Sequence, residues 1–307
     1  MTEPSPSSAA PHARATVSPA TAYLFITATV FFWSIGIVIG RGVHGTIPPV
    51  GLSFWRWFIA AMMLLPFVWK DVVRCAPLIK QSFGMLSLQG ALLLTSSTLL
   101  FVAVNFTTAI NAALLNATQP TMTALMVWIV VREKMGMVQV FGIIAAMAGV
   151  LTMVSGADWR VVAGLDFNIG DLLVVLATVG YAIYAINLRK IPGQLGVPTA
   201  LFVILSLGSF LILPFYVGET IFIRAVPFDE TLFMSVFVLS LFTSVFALLM
   251  WNAGNHAVGP NRAAIFLNAM PVFSSALAIV FLGEQLYFYH FIGAVLVAVG
   301  ILLVVRK

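Results

Sequence analysis

Polar residues in this chain are gathered into short breaks between apolar runs, and ten of those runs are long enough to cross a bilayer. About 20 apolar residues rising about 1.5 Å each match the roughly 30 Å hydrocarbon core, so each run predicts a spanning helix. Ala22 to Gly40, Val50 to Trp69, Phe83 to Phe106, Ala109 to Val131 and Met137 to Val154 form a first set of five. Ile169 to Leu188, Val197 to Val217, Leu232 to Ala253, Ala263 to Leu282 and Leu286 to Val305 form a second. The connections are short and leave no room for an extramembrane domain.

The two sets repeat one another. At a spacing of 151 positions, Ala112, Ala113, Pro120, Glu133, Gly142 and Gly149 fall on Ala263, Ala264, Pro271, Glu284, Gly293 and Gly300. Identities spread over two helices and the loop between them predict two copies of one five-helix unit, residues 21–155 and 169–305. Because five is odd, the second copy enters the membrane from the opposite side. The expected fold is an all-α integral membrane protein of ten transmembrane helices in two inverted five-helix repeats, with a substrate site near mid-membrane between them.

Composition agrees with this reading. Hydrophobic residues make up 61% of the 307 and charged residues 8%, against roughly 25% charged in a soluble domain. The formal net charge of +5 does not imply a nucleic-acid partner, because the 15 Lys and Arg stand in ones and twos between apolar runs, as topology-setting charges do. With the N-terminus in the cytoplasm, Arg14, Lys70, Arg74, Lys80, Arg132, Lys134, Arg189, Lys190, Arg262, Arg306 and Lys307 fall inside. Arg41, Arg160 and Arg224 fall outside, and Arg56 lies within a span. This bias places both termini in the cytoplasm. Residues 1–20, with Pro4, Pro6, Pro11 and Pro19 among Ser, Thr and Ala, read as a disordered cytoplasmic tail. The apolar run that follows is longer than the short core of a signal peptide.

The chain resembles the EamA-type members of the drug/metabolite transporter superfamily over essentially residues 20 to 305. The resemblance rests on Trp33-Ser34-Ile35-Gly36, Arg56, Ala112-Ala113-Leu114-Leu115 leading to Pro120, Glu133 and the glycine-spaced fifth helix. Their second-half counterparts are Ala263-Ala264-Ile265 leading to Pro271, Gly283-Glu284, and Gly293 to Gly300. Arg56 has no basic counterpart, since Ser206 and Leu207 lie near the offset position. The resemblance implies a multi-pass carrier of the bacterial inner membrane, commonly an exporter of amino acids or related metabolites, with a central cavity between the halves.

Several residues can carry chemistry inside such a bundle. Trp33 and Tyr184 coincide under the offset and would face each other across the axis, with Tyr181 on the face of Tyr184. Asn116, Gln119 and Thr123 form a stripe around Pro120, and Asn268 and Ser275 one around Pro271; amides in hydrocarbon must face the protein interior or a water-filled cavity, or else bond between helices. The prolines free backbone carbonyls and suit a gating element. Trp33, Asn116, Gln119, Tyr181, Tyr184 and Asn268 are thus the candidate substrate site. Arg56 either snorkels to the headgroups or offers a counter-charge to a carboxylate, with Asp171 as an internal partner and as the nearest candidate for proton coupling. Gly36 with Gly40, and Gly142 with Ala146 and Gly149, permit close helix approach within a monomer or across a weak homodimer seam. Glu133 and Glu284, beside helix ends, suit structural hydrogen bonds.

The partners expected are a small-molecule solute and the lipid bilayer. No Gly-x-x-x-x-Gly-Lys-Ser/Thr loop is present, which excludes a nucleotide-driven pump within this chain. Neither His256, placed in a loop, nor His290 belongs to a serine-hydrolase motif, the four histidines show no metal-ligand spacing, and Cys75 stands alone. No cofactor or metal is therefore expected. A secondary transporter is the leading reading. An intramembrane enzyme, a channel or structural subunit and, among carriers, a nucleotide-sugar type are the alternatives.

Overall fold

The computed structural model describes residues 18–132, 136–164, 167–188, 190–258 and 266–305, which are all-helical with no strand among them. Helix α1 (Pro19–Gly42) starts where the Ser18 hydroxyl accepts from the Thr21 N–H and Pro19 occupies the first turn. Residues 18–20, read from the sequence as part of the tail, thus belong to the start of α1. Then follow α2 (Pro49–Arg74), α3 (Ala76–Gln81), α4 (Phe83–Ala103), α5 (Ala109–Asn116), α6 (Gln119–Met126), α7 (Met137–Val154) and α8 (Trp159–Gly164). The second half holds α9 (Ile169–Leu188), α10 (Val197–Phe222), α11 (Glu230–Val238), α12 (Ala247–Val258), α13 (Met270–Leu282) and α14 (Phe288–Val305). His256 lies on α12 rather than in a loop, because the eighth span runs on to Val258.

Among the described residues, six helical stretches are long and apolar enough to cross a membrane: α1, α2, α4, α9, α10 and Glu230–Gly254; Met137–Met153, Met270–Leu282 and Phe288–Leu303 are shorter apolar helices. The run Ala109 to Val131 is not one α-helix. Pro120 has no N–H to return to the Asn116 carbonyl, and the chain tightens ahead of it, with Thr118 N–H and hydroxyl both donating to Leu115 O at 3.1 and 2.6 Å. Helix α6 then widens into a π turn, Val127–Val131, and ends at Arg132 in a left-handed conformation (φ 59°). The Asn116–Gln119–Thr123 stripe is interrupted accordingly. Pro271 repeats the motif, with a 3₁₀ turn, Leu267–Ala269, ahead of α13. A longer π segment, Leu239–Phe246, joins α11 to α12. Residues 133 and 263–265, which carry part of the repeat, lie outside the described residues.

Helix α7 packs along α14, α4 along α9, and α1 along α12; α10 lies against α2 and α4, α13 against α1 and α5, and α6 against α9. Glycine sets the closest approach. A β-carbon on Gly149 would lie 2.7 Å from the Gly293 carbonyl, and one on Gly300 would lie 2.6 Å from the Gly142 carbonyl, so the α7 and α14 backbones touch. Both glycine steps are thus used inside the chain. The outer surface carries Phe67, Phe210, Phe215, Phe281, Phe291 and Leu302 largely exposed, a face that water would not tolerate and lipid tails would.

Candidate substrate site

Arg56, on the second turn of α2, is 6% exposed, so it does not snorkel. The α2 face that carries Ser53, Arg56, Trp57 and Ala60 is buried, and its guanidinium is held inward by two rings, Trp57 at 4.0 Å and Phe101 at 4.8 Å from their centroids. One terminal nitrogen donates to the Ser97 hydroxyl and the other to Thr243 Oγ1 at 3.5 Å, while Nε is buried without a partner among the described residues. The ion pairs among those residues are Arg41–Glu284 and Arg74–Asp71. Among the described residues no carboxylate therefore compensates Arg56, although leaving a cation unpaired in a dry interior costs several kcal/mol.

The same two hydroxyl residues tie in the aromatic candidates. Trp33 Nε1 donates to the Thr243 carbonyl at 3.2 Å, and its ring lies 5.3 Å from that of Trp251. Tyr181 lies beside Ser97 and Arg56. Tyr184 follows one turn later, its carbonyl accepting from Gln89 Nε2 at 3.4 Å. Trp33, Arg56 and Tyr181 thus converge from α1, α2 and α9 on Ser97 of α4 and Thr243 of the π segment. Trp33 and Tyr184 do not pack as a facing pair. Trp33 lies against the core cluster built around Val30, Ile37, Ala113 and Met270, and Tyr184 against the one around Trp57, Leu94, Leu201 and Leu205.

Asn116 is buried, with Nδ2 donating to Met270 Sδ at 3.4 Å and Oδ1 unpartnered among the described residues; Met270 O in turn accepts from Ser34, next to Trp33. Gln119 opens α6, half-buried. Asn268 falls in the 3₁₀ turn before α13, and its side chain lies outside the described residues. Asp171 is not the partner of Arg56. It is 2% exposed and accepts from the Thr107 hydroxyl and from Asn111 Nδ2, because the first turn of α9 lies against the α4–α5 connection and α5. Glu284 has the structural role expected of it: its carboxylate accepts from the N–H groups of Ala109 and Ile110 at 2.8 and 3.0 Å, completing the start of α5, with Arg41 Nε 3.9 Å away. Glu133 lies outside the described residues.

Reading the sequence overlooked Ser97, Thr243, Trp57 and Glu219. Glu219 was detectable as an acid at the end of an apolar run; its carboxylate accepts from Val50 and Gly51 N–H at 3.1 and 2.7 Å, starting α2 as Glu284 starts α5. Ser97 and Thr243 carry no such mark, since hydroxyl residues are scattered through the spans.

A lipid-compatible helical shell around a buried cation, ringed by aromatics and hydroxyls, defines a multi-pass membrane protein of the solute-transporter class. The chain belongs to the EamA-like transporter family, of the drug/metabolite transporter superfamily; the family model matches residues 20–155 and again 168–306. It is 24% identical over 284 residues to the uncharacterized transporter YyaM of Bacillus subtilis (strain 168), spanning 91% of this chain and 92% of that one. It is 26% identical over 283 residues to the aromatic amino acid exporter YddG of Salmonella typhimurium (strain 14028s), spanning 89% and 93%. A crystal structure at 18% identity superimposes with a TM-score of 0.59 over 93% of this chain and 96% of that one, and shows the shared fold. Family and relatives alike are transporters, not enzymes.

Proposed function

We propose that this protein is a secondary transporter that exports small carboxylate-bearing organic solutes, amino acids or related metabolites, across the bacterial inner membrane by alternating access. The observation that carries the proposal is the uncompensated guanidinium of Arg56. A solute carboxylate would complete its charge and its hydrogen bonds together, and a planar guanidinium suits that group. Trp33, Tyr181 and Tyr184 would then receive the organic part, with Asn116, Gln119 and Asn268 supplying amides from the two proline-broken helices. The name of the Salmonella relative, an aromatic amino acid exporter, supports that solute class.

Alternating access rests on the ten-helix inverted repeat, with units 21–155 and 169–305 and both termini cytoplasmic. Two reciprocal contacts support it. Gly149 meets Gly293 and Gly300 meets Gly142, which are the same two positions of each unit exchanged. Thr29 donates to Ala247 O at 3.1 Å, while at the repeat-related positions Gly180 closes on Ser96, so small residue and hydroxyl have changed sides. A pseudo-two-fold axis in the membrane plane produces exchanges of this kind. With no phosphate-binding loop in the sequence, the energy comes from a solute or ion gradient.

The test is a thermal-shift screen of the purified protein, followed by counterflow in proteoliposomes. Free amino acids should stabilise the protein and exchange saturably without ATP, whereas their methyl esters and amides should do neither, and Arg56→Gln should abolish the difference. Equal binding of acid and ester, linear flux, or a strict need for ATP hydrolysis would overturn the reading.

A further inference from the structure

The first turns of α5, α9 and α14 meet in a second polar assembly, remote from Arg56, and its hydrogen bonds have a fixed direction. The N–H of Tyr287 donates to His290 Nδ1 at 3.0 Å, so Nδ1 must be the acceptor and the ring proton sits on Nε2. Nε2 lies 2.8 Å from Asn111 Oδ1 and therefore donates to it. That contact sets the amide orientation: Asn111 turns its NH₂ to Asp171, 3.4 Å from each carboxylate oxygen, and Thr107 donates to Oδ1 of the same group. From His290 through Asn111 to Asp171 every proton points towards the carboxylate. The assembly is complete with Asp171 ionised and His290 neutral.

One more proton weakens it in every arrangement. An O–H on the Asp171 oxygen facing Asn111 would meet an N–H donor. Flipping the amide relieves that contact only if His290 Nε2 becomes an acceptor, which moves the ring proton to Nδ1 against the N–H of Tyr287. On Oδ1 the proton instead makes the Thr107 hydroxyl turn round to accept, giving up its own bond to the carboxylate. Every protonated arrangement thus either sets donor against donor or replaces the charge-assisted bonds between α9 and the α4–α5 connection and α5 by weaker neutral ones, and both favour separating the helices. Asp171 and His290 are 2% and 3% exposed, so in this conformation solvent reaches neither.

The surroundings add little charge of their own. Tyr289 and Tyr287 lie with ring centroids 4.2 and 5.8 Å from that of His290. Glu284 is engaged by Ala109 and Ile110 and paired with Arg41. Helices α4, α5, α6 and α7, which pack on α9 and α14, contain no acidic or basic residue.

We propose that Asp171 is a proton-binding site whose occupancy is coupled, through Asn111 and His290, to opening of the end of the bundle where α5, α9 and α14 begin. The proton comes from solvent, is taken up by a carboxylate oxygen, and leaves by the same route after reopening. No other bond is made or broken. This goes beyond the transport reading, and its test needs no transported solute, so either can fail alone.

Infrared difference spectra of the full chain in nanodiscs, stepped between about pH 4 and about pH 9, would follow the carbonyl stretch of a protonated carboxylic acid. That band should appear on acidification, vanish in Asp171→Asn, persist in Glu219→Gln and Glu284→Gln, and shift its midpoint by roughly one pH unit in His290→Gln, about a tenfold change in proton affinity. In a Cys75→Ser background, thiol labelling of Ala109→Cys should accelerate severalfold as pH falls through the same midpoint, and become independent of pH in Asp171→Asn. Asn111→Leu, which leaves the acid in place, should keep the band and lose the pH-dependent labelling. A band that survives in Asp171→Asn, no band in that range, or labelling indifferent to pH in the parent would overturn the proposal.

Discussion

The seam between α7 and α14 and the chamber around Arg56 are both buried in one helical bundle, yet they are built on opposite principles. Along the seam, Gly142, Gly149, Gly293 and Gly300 let two backbones touch, with Met153, Ala146 and Val297 filling the remaining space. Around Arg56, the Arg56 Nε, Trp57 Nε1 and Asn116 Oδ1 atoms are buried and lack hydrogen-bond partners among the described residues. Bare packing is what a stable scaffold needs. Unmatched polarity costs stability and is explicable only if something else completes it. Burial alone therefore does not separate scaffold from site; an unpaired buried cation does.

The largest effect should come from filling the seam. Gly149→Val places branched carbon where a single β-carbon already lies 2.7 Å from the Gly293 carbonyl and 3.0 Å from the Val297 nitrogen. Overpacking of about 3 kcal/mol should lower the thermal midpoint in detergent by roughly 10 °C or leave the protein aggregated. A valine variant of normal stability would mean that the seam is looser than its geometry.

Arg56→Met should do the reverse. Losing a fully desolvated charge contact of about 2–4 kcal/mol lowers transport of a carboxylate solute roughly 30- to 1,000-fold. Removing an unpaired buried cation leaves the thermal midpoint unchanged or raised by a few degrees. Collapse of this variant on size-exclusion chromatography would move Arg56 from site to scaffold.

Smaller losses should follow at the flanks of the chamber. Trp33→Phe keeps an aromatic ring against Trp251 while removing the N–H to Thr243 with the five-membered part of the indole, whereas Trp33→Ala would open a larger cavity. Trp33→Phe and Gln119→Ala should each reduce transport about 3- to 10-fold, the worth of one hydrogen bond of about 1 kcal/mol, with stability nearly intact. Wild-type transport in both would remove α1 and α6 from the proposed site.

The smallest effect concerns the repeat itself. A β-carbon on Gly180 would sit 2.0 Å from Ser96 Oγ but 3.3 Å from its Cβ, so Gly180→Ala should destabilise by about 1–2 kcal/mol and Ser96→Ala should restore most of it. Additive effects in that double-mutant cycle would break the correspondence with Thr29 and Ala247.

How much of this was legible varies residue by residue. The six long spans were readable because apolar length is itself the signal, and Pro120 marked a break whose extent was not readable, since the tightening at Thr118 depends on local geometry. Asp171 stood out as an acid in a span, but its partners Thr107 and Asn111 are some 60 positions away and unremarkable in composition. Arg56 stood out as a cation, yet its direction stayed open between snorkelling and facing inward, since a long apolar run does not reveal which side turns to the interior.

Length, hydropathy and charge placement are properties of each segment alone, and they determined the medium and the helical class, while short motifs recurring in order in both halves pointed to the family. Which face of α2 meets α4, which carbonyl receives the indole of Trp33, and whether Glu284 completes the start of α5 are decided between segments far apart in the chain. Such contacts exist only after the helices have rotated and packed, because hydrocarbon rewards every apolar face equally and leaves the choice among them to close packing and to the pairing of a few polar atoms.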